Sequence, residues 1–192
     1  MSELPDYILS SPLRVQVTSG QVGVMAAEVP LERLLQLLDS GDAAAVTSLL
    51  TEAKLHPDAE LDEDGCTPLL LAAARDRPRV VARLLEAGAS PNKADTATGS
   101  TPLLEAARAG STESVRRLVE AGADPELRDC DHWSPALVCC YLGHAAALRC
   151  LLEAGADTRG GGKTQCSGLA WAAGRGHGDT GQMGLIIGQC SL

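Results

Sequence analysis

Cysteine and histidine residues, which could bind a metal or act as nucleophiles, are concentrated between positions 130 and 150 of the chain. They are Cys130, His132, Cys139, Cys140, His144 and Cys150. Structural zinc sites usually supply such ligands as two close pairs, each separated by two to four residues. A catalytic Cys–His pair needs a third polar group, and no Asn or Asp is placed to orient His144. The spacing therefore argues against zinc and against nucleophilic catalysis, and we expect a protein that is not an enzyme.

A glycine-rich run, residues 160–164, has the composition of a phosphate-binding loop. It reads Gly-Gly-Gly-Lys-Thr. A nucleotide-binding loop needs a further glycine five positions before Gly162, and that position is Asp157. The loop should also follow a strand, whereas a helix-ending sequence precedes this run. We therefore expect no bound nucleotide and no other cofactor.

The composition favours closely packed helices and excludes several classes of partner. Of the 192 residues, 45% are hydrophobic, but only 2% are aromatic and none is Phe. A core of Ala, Leu and Val fills space only where helices pack closely. The net charge of −9 makes nucleic acid and anionic membrane surfaces poor partners. No apolar run approaches the roughly 18–20 residues that span a bilayer.

The cysteine content indicates a reducing compartment. Seven cysteines are an odd number, and none of them forms a Cys-x-x-Cys pair. A secreted disulfide framework usually has an even, regularly spaced set. The first thirty residues contain acidic residues and polar breaks, unlike a signal peptide. We therefore expect an intracellular protein, located in the cytoplasm, the nucleus or both.

Two short motifs recur along the chain in phase. The first reads Leu-Leu-Glu-Ala-Gly-Ala, with one Leu replaced by Val in its second copy, and it occurs at residues 84–89, 118–123 and 151–156. The second occurs as Thr67-Pro68-Leu69, Thr101-Pro102-Leu103 and Ser134-Pro135-Ala136. Both motifs recur every 33 or 34 residues. Two independent motifs with the same period predict a repeat array.

Each copy predicts two short helices. Thr67 or Ser134 can cap a helix N-terminus, and the proline that follows suits the first helical position. An Ala-rich helix comes next, then a turn, then a second helix with an apolar face. The helix-ending glycines Gly88, Gly122 and Gly155 are expected to adopt the left-handed conformation. In this frame Cys139 and Cys140 replace Ala72 and Ala73, so we expect them to be small buried hydrophobic residues.

These motifs resemble those of ankyrin-repeat proteins, most strongly over residues 60–157. The resemblance implies an all-α solenoid of stacked helix-turn-helix units, with short finger-like turns projecting from the stack. The family motif Thr-Pro-Leu-His has a histidine that usually links repeats by hydrogen bonds. Here the corresponding residues are Leu70, Leu104, Leu137 and Ala170. We expect apolar packing to replace those hydrogen bonds.

The repeat phase divides the chain into segments. The array is predicted over residues 31–178, with repeats at about 31–61, 62–94, 95–128 and 129–161, and a partial repeat at 162–178. Residues 1–30 are predicted to be a disordered tail or, alternatively, a short segment lying on the first repeat. Residues 179–192 are predicted to be a degraded, frayed end because glycines replace apolar helix residues there. Truncation of a longer array is one interpretation of that ragged end.

The predicted function is a non-catalytic protein-interaction module or adaptor that binds an unidentified protein through its concave face. Mapping the family's contact positions onto this chain gives Asp64, Arg75, Thr98, Arg108, Asp131, Trp133 and Tyr141. Trp133 is either an exposed anchor for the partner or a ring packed over the next repeat. The arginines are either a basic ladder, which Arg175 would extend, or ordinary solvated charge.

Two alternative roles follow from the same resemblance. One is a truncated ubiquitin-ligase substrate adaptor, of the type that carries a SOCS box after its ankyrin repeats. The other is a small ankyrin-type enzyme inhibitor, by analogy of repeat number alone. In each case we expect a protein partner, no small-molecule substrate and a monomeric chain.

Overall fold

The computed structural model describes residues 31–52, 55–159 and 168–174. The predicted tail at 1–30, the glycine-rich run at 160–164 and the predicted frayed end at 179–192 lie outside these ranges. Within them, nine helices occur in chain order. They are α1 (Leu31–Ser40), α2 (Ala43–Glu52), α3 (Pro68–Ala74), α4 (Pro78–Glu86), α5 (Pro102–Ala109), α6 (Thr112–Glu120), α7 (Pro135–Leu142), α8 (Ala145–Glu153) and α9 (Gly168–Gly174).

The helices form two layers that stack in register. The first helices of successive repeats pack against one another in the order α3, α5, α7, α9. The second helices do the same in the order α2, α4, α6, α8, and each repeat closes by packing its own two helices together. The prediction of an all-α solenoid of stacked helix pairs is confirmed.

Local sequence explains where the helices begin and end. Thr67 caps α3 by accepting a hydrogen bond from the Leu70 amide at 3.3 Å, and Ser134 caps α7 through the Leu137 amide at 3.4 Å. A proline fills the first helical position after both caps. The second helices are followed by glycines at positive φ, as predicted; they are Gly88, Gly122 and Gly155. The repeat motif therefore predicts both the N-terminal caps of the first helices and the left-handed glycines that follow the second helices.

The main hydrophobic core lies between the two layers and uses small and branched aliphatic side chains. Cys139 and Cys140 are fully buried in it, at the positions that Ala72 and Ala73 occupy in repeat 2. The prediction that these two cysteines pack as small hydrophobic residues is confirmed. None of the helices in the described part of the chain is long and apolar enough to cross a membrane.

The turn between the two helices of a repeat is bonded to the repeat before it. One turn position makes this contact in repeats 2, 3 and 4, where it is Arg77, Ser111 and His144. The Arg77 guanidinium donates to the main-chain carbonyls of Leu38 and Asp39, at 2.8 and 2.6 Å, and so closes the last turn of α1. The Ser111 hydroxyl bonds to the Asp76 carboxylate of repeat 2.

In repeat 4 the same contact is made by packing of an aromatic ring on glycine. The imidazole of His144 lies against Gly110, where an added Cβ would stand 2.8 Å from the ring. Gly110 also ends α5 at φ +71°, a left-handed conformation in which a side chain is strained. Glycine is therefore required at position 110 for two independent reasons.

A second set of contacts links the loops that follow the second helix of each repeat; we call these second helices, α2, α4, α6 and α8, the outer helices. In each case a side chain of one repeat accepts a hydrogen bond from a backbone amide of the next. The pairs, acceptor first, are Asp58 with Ser90 at 2.7 Å, Asn92 with Asp124 at 2.8 Å, and Glu126 with Asp157 at 2.7 Å. These hydrogen bonds fix the spacing between successive repeats on the side of the array opposite the inter-helix turns.

Candidate functional site

Three finger-like turns precede α3, α5 and α7, and we call them fingers 1, 2 and 3. They comprise residues 62–67, 95–101 and 129–134. Each is closed at its base by a backbone hydrogen bond: Leu61 to Cys66 at 2.7 Å, Asp95 to Ser100 at 3.0 Å, and Asp129 to Trp133 at 3.1 Å. The fingers are thus short closed turns, which holds their tips in a defined conformation.

An aspartate at the start of each finger holds the turn together from inside. Asp62 accepts one backbone amide, that of Cys66, at 2.9 Å. Asp95 accepts the amides of Thr98 and Ser100, at 2.6 and 3.2 Å, and also the Thr98 hydroxyl at 2.7 Å. The corresponding Asp129 accepts two backbone amides of finger 3. These carboxylates therefore stabilise the fingers from within.

Neighbouring fingers are joined edge to edge near their tips. The Thr96 amide of finger 2 donates to the Asp64 carbonyl of finger 1 at 2.7 Å, and the Cys130 amide of finger 3 donates to the Thr98 carbonyl at 2.8 Å. Exposed residues line the outside of this edge; we call them the finger-tip row, and they are Glu63, Asp64, Thr96, Ala97, Thr98, Cys130 and His132. The row is continuous across three repeats.

A buried ionic cluster lies behind fingers 2 and 3. Arg108 of α5 donates from Nη1 to Glu105 of the same helix and from Nη2 to Asp129 of finger 3, the second at 3.5 Å. Ser100 of finger 2 donates its hydroxyl to the same Glu105 oxygen at 2.6 Å. Burial raises the pKa of the Glu105 carboxyl above its ordinary value, against the opposing effect of Arg108. Burial likewise raises the pKa of Asp129.

Trp133 and Tyr141 do not lie on the surface. Only 2% of Trp133 and 3% of Tyr141 is exposed, and their rings meet edge to face with centroids 5.6 Å apart. They form a second hydrophobic cluster with Leu104 and Leu137, two residues that stand where the family motif has histidine. The hypothesis that Trp133 is an exposed anchor is therefore wrong. Apolar side chains at the histidine positions give the indole a surface to pack on.

The arginines do not form a basic ladder. Arg75 forms an ion pair with Asp39 of repeat 1 at 2.9 Å, and Arg108 is held in the buried cluster. Their charges are already compensated by carboxylates of the same chain, so the ladder is wrong for these two residues. Arg175 lies outside the described residues. Arg75 and Asp39 are 36 positions apart in the sequence, so their side chains meet only when the repeats stack.

The remaining predicted contact residues lie on or beside the finger-tip row. Asp64 and Thr98 are exposed there, although the Thr98 hydroxyl is engaged by Asp95. Asp131 is half-buried, and its amide donates to Asp129 at 3.0 Å. Their role in partner binding remains a prediction.

The prediction from sequence missed Glu105 and Asp129, although both left signals. Glu105 stands three residues before Arg108, a spacing that places the two side chains on one helix face. An aspartate also opens every finger, at positions 62, 95 and 129. Together these two signals suggest, from the sequence alone, that Arg108 is paired with carboxylates.

The buried thiols are poorly suited to chemistry. Burial raises the pKa of Cys66 and of Cys140 to about 12, and it raises the pKa of Cys139 well above its ordinary value. A thiol that keeps its proton is a weak nucleophile and a weak metal ligand. Within residues 31–52, 55–159 and 168–174, no group of three His, Cys, Asp or Glu side chains is arranged to hold a metal ion.

Comparison with known protein families gives a match. The family model for three copies of the ankyrin repeat matches residues 34–129 and, in a second overlapping placement, residues 105–183. The two placements together cover more than half of the chain. None of the curated proteins matches the chain.

Proposed function

The chain belongs to the ankyrin-repeat family, and on that premise we propose that it is a non-catalytic adaptor that binds a partner protein through its finger-tip row. Ankyrin repeats are generally protein–protein interaction modules. The observation that carries the proposal is the edge-to-edge bonding of the three fingers, through Thr96 to Asp64 and Cys130 to Thr98. Such bonding presents exposed side chains of three repeats as one surface.

The rigidity of this surface supports a binding role. Each finger is closed at its base, held by an internal aspartate and joined to its neighbour. A partner would therefore not have to order the loops on binding, and the entropy cost of association is reduced. Trp133 and Tyr141 pack against each other and support finger 3.

The chemistry of the row changes along its length. Finger 1 contributes the carboxylates of Glu63 and Asp64, finger 2 contributes hydroxyl and methyl groups, and finger 3 contributes the Cys130 thiol and the His132 imidazole. The corresponding partner surface is polar, with basic side chains opposite finger 1. An extended segment of the partner running along the fingers would meet these three regions in turn.

A pair of matched double variants tests the proposal. Asp64→Arg with Ala97→Arg changes two exposed tips of the row. Glu120→Arg with Ala146→Arg makes the same changes in charge at exposed positions of the outer helices α6 and α8. Affinity capture from cells, quantified by mass spectrometry, should lose specific proteins with the tip variant and keep them with the outer variant. Equal capture by both, at equal melting temperature, would contradict the proposed face.

A further inference from the structure

Three carboxylates from three consecutive segments converge behind the finger-tip row. They are Asp95 of finger 2, Glu105 of α5 and Asp129 of finger 3, and each is at most 5% exposed. A single guanidinium, that of Arg108, lies among them with 10% of its side chain exposed. Its Nη atoms reach Glu105 and Asp129, while its buried Nε has no acceptor within the described part of the chain. The cluster therefore has one positive charge against three acidic groups in a buried setting.

Buried charges of this kind need partners, and an excess of like charge is relieved by binding a proton. We propose that the cluster takes up a proton at Glu105 and thereby couples proton binding to the spacing of fingers 2 and 3. The consequence for partner binding rests on the proposed function, because those two fingers carry most of the finger-tip row.

Hydrogen bonding determines which carboxylate takes the proton. Asp95 accepts two backbone amides and one hydroxyl, and Asp129 accepts two backbone amides besides Arg108, so a proton on either would compete with three hydrogen-bonded or ionic contacts. Glu105 accepts only from the Ser100 hydroxyl and from Arg108. It is also the most buried of the three, at 1% exposure. A proton on Glu105 therefore breaks the fewest favourable contacts.

Among the residues that the structure describes, the groups facing the cluster from neighbouring elements supply no second cation at bonding distance. Finger 1 contributes the neutral thiol of Cys66, and Arg75 at the end of α3 is paired with Asp39. Finger 3 contributes His132, which acts on Asp129 through its charge, and α7 contributes no charged side chain. Helix α6 packs against α5, and its ionic residues pair with one another on the exposed face of α6; they are Glu113, Arg116 and Arg117.

The expected movement follows from how Arg108 divides its bonds. While Glu105 is ionised, the guanidinium is shared between Glu105 and the longer 3.5 Å contact to Asp129. A neutral Glu105 attracts the guanidinium less, so Arg108 is drawn toward Asp129 and finger 3 moves closer to α5. The bond from the Cys130 amide to the Thr98 carbonyl, which joins fingers 2 and 3, reports that change directly.

Nuclear magnetic resonance titration of the isotopically labelled full chain tests the proposal without any partner. The side-chain carboxyl carbon of Glu105 should titrate with a midpoint above its ordinary value of 4.5. The Cys130 amide should shift with the same midpoint. That shift should vanish in Glu105→Gln and persist in Glu113→Gln, a matched change in an ion-paired but half-exposed glutamate of α6.

Two outcomes would overturn the coupling. One is a Glu105 midpoint at or below 4.5, which is measured on the unaltered protein and does not depend on any variant folding. The other is a Cys130 amide titration that survives in Glu105→Gln. Neither outcome bears on whether the finger-tip row binds a protein. Equal capture by the tip and outer variants would contradict the proposed function and leave this titration unchanged.

Discussion

Arg77 reaches back 39 residues to donate from Nε to the main-chain carbonyl of Leu38 at 2.8 Å. Its Nη2 adds a bond to the next carbonyl, that of Asp39. These carbonyls lie in the last turn of α1, where the regular helical hydrogen bonds end, and the Leu38 carbonyl also accepts from the Gly41 amide at 3.1 Å. The charged side chain therefore both caps the first helix and fixes repeat 1 onto repeat 2.

Substitution Arg77→Ala should loosen repeat 1. Hydrogen bonds from charged groups contribute about 1.5–3 kcal/mol when they are well buried. Because one of these two bonds is exposed, we expect a loss of about 1–2 kcal/mol in the free energy of unfolding. Urea denaturation measures it. The exposed neighbour Arg79, changed to Ala, should cost less than ~0.5 kcal/mol, and equal losses for the two variants would argue against the cap.

Gly110→Ala should destabilise the array more than Gly122→Ala. Both glycines have positive φ, at +71° and +87°, so alanine costs about 1–2 kcal/mol of backbone strain at either position. Only Gly110 has a neighbour in the way, the His144 ring at 2.8 Å. The difference between the two melting temperatures therefore measures the clash.

The double variant Gly110→Ala with His144→Ala provides the control for that clash. Removing the ring should make the penalty of alanine at position 110 similar to the penalty at position 122. If Gly110→Ala alone already matches Gly122→Ala, the imidazole simply rotates aside, and the ring-on-glycine contact contributes little to stacking.

Trp133→Ala should unfold repeat 4 locally instead of removing a partner contact. Truncating a buried tryptophan typically costs roughly 3–5 kcal/mol, and Trp133 is packed against Tyr141, Leu104 and Leu137. Chemical denaturation of Trp133→Ala and of Cys130→Ala gives the two losses in the free energy of unfolding. Cys130 is an exposed residue of the same finger, so the pair compares removal of a buried side chain with removal of an exposed one. A loss below ~1 kcal/mol for Trp133→Ala would contradict its supporting role.

The free energy of unfolding should depend on pH through Glu105. Its pKa is raised in the folded state, so folding favours the protonated carboxyl, and stability is lost as pH rises from about 4.5 through the folded pKa. Glu105→Gln cannot titrate, so its stability should improve relative to the unaltered protein across that window. Urea denaturation at several pH values gives the difference, and a difference that stays constant with pH would contradict the buried position of this carboxyl.

The sequence revealed the fold because its signals are local and repeated. The caps Thr67 and Ser134, the glycines after each outer helix, and Cys139-Cys140 in place of Ala-Ala all act within one repeat or at one fixed offset. The candidate site was harder to predict because it depends on pairs from different repeats. Arg75 meets Asp39 and Arg108 meets Asp129 only once the stack forms. The burial of Trp133 likewise depends on Leu104, in the repeat before it.

Site-specific photo-crosslinking in living cells tests the central claim most directly, since it reports which face a partner touches. A photoreactive amino acid is placed at Ala97, on the tip of finger 2, or at Ala146, an equally exposed alanine on the outer helix α8. The proposed adaptor role predicts a discrete crosslinked protein band from position 97 and none from position 146. A band from position 146 with none from position 97 would contradict binding through the finger-tip row.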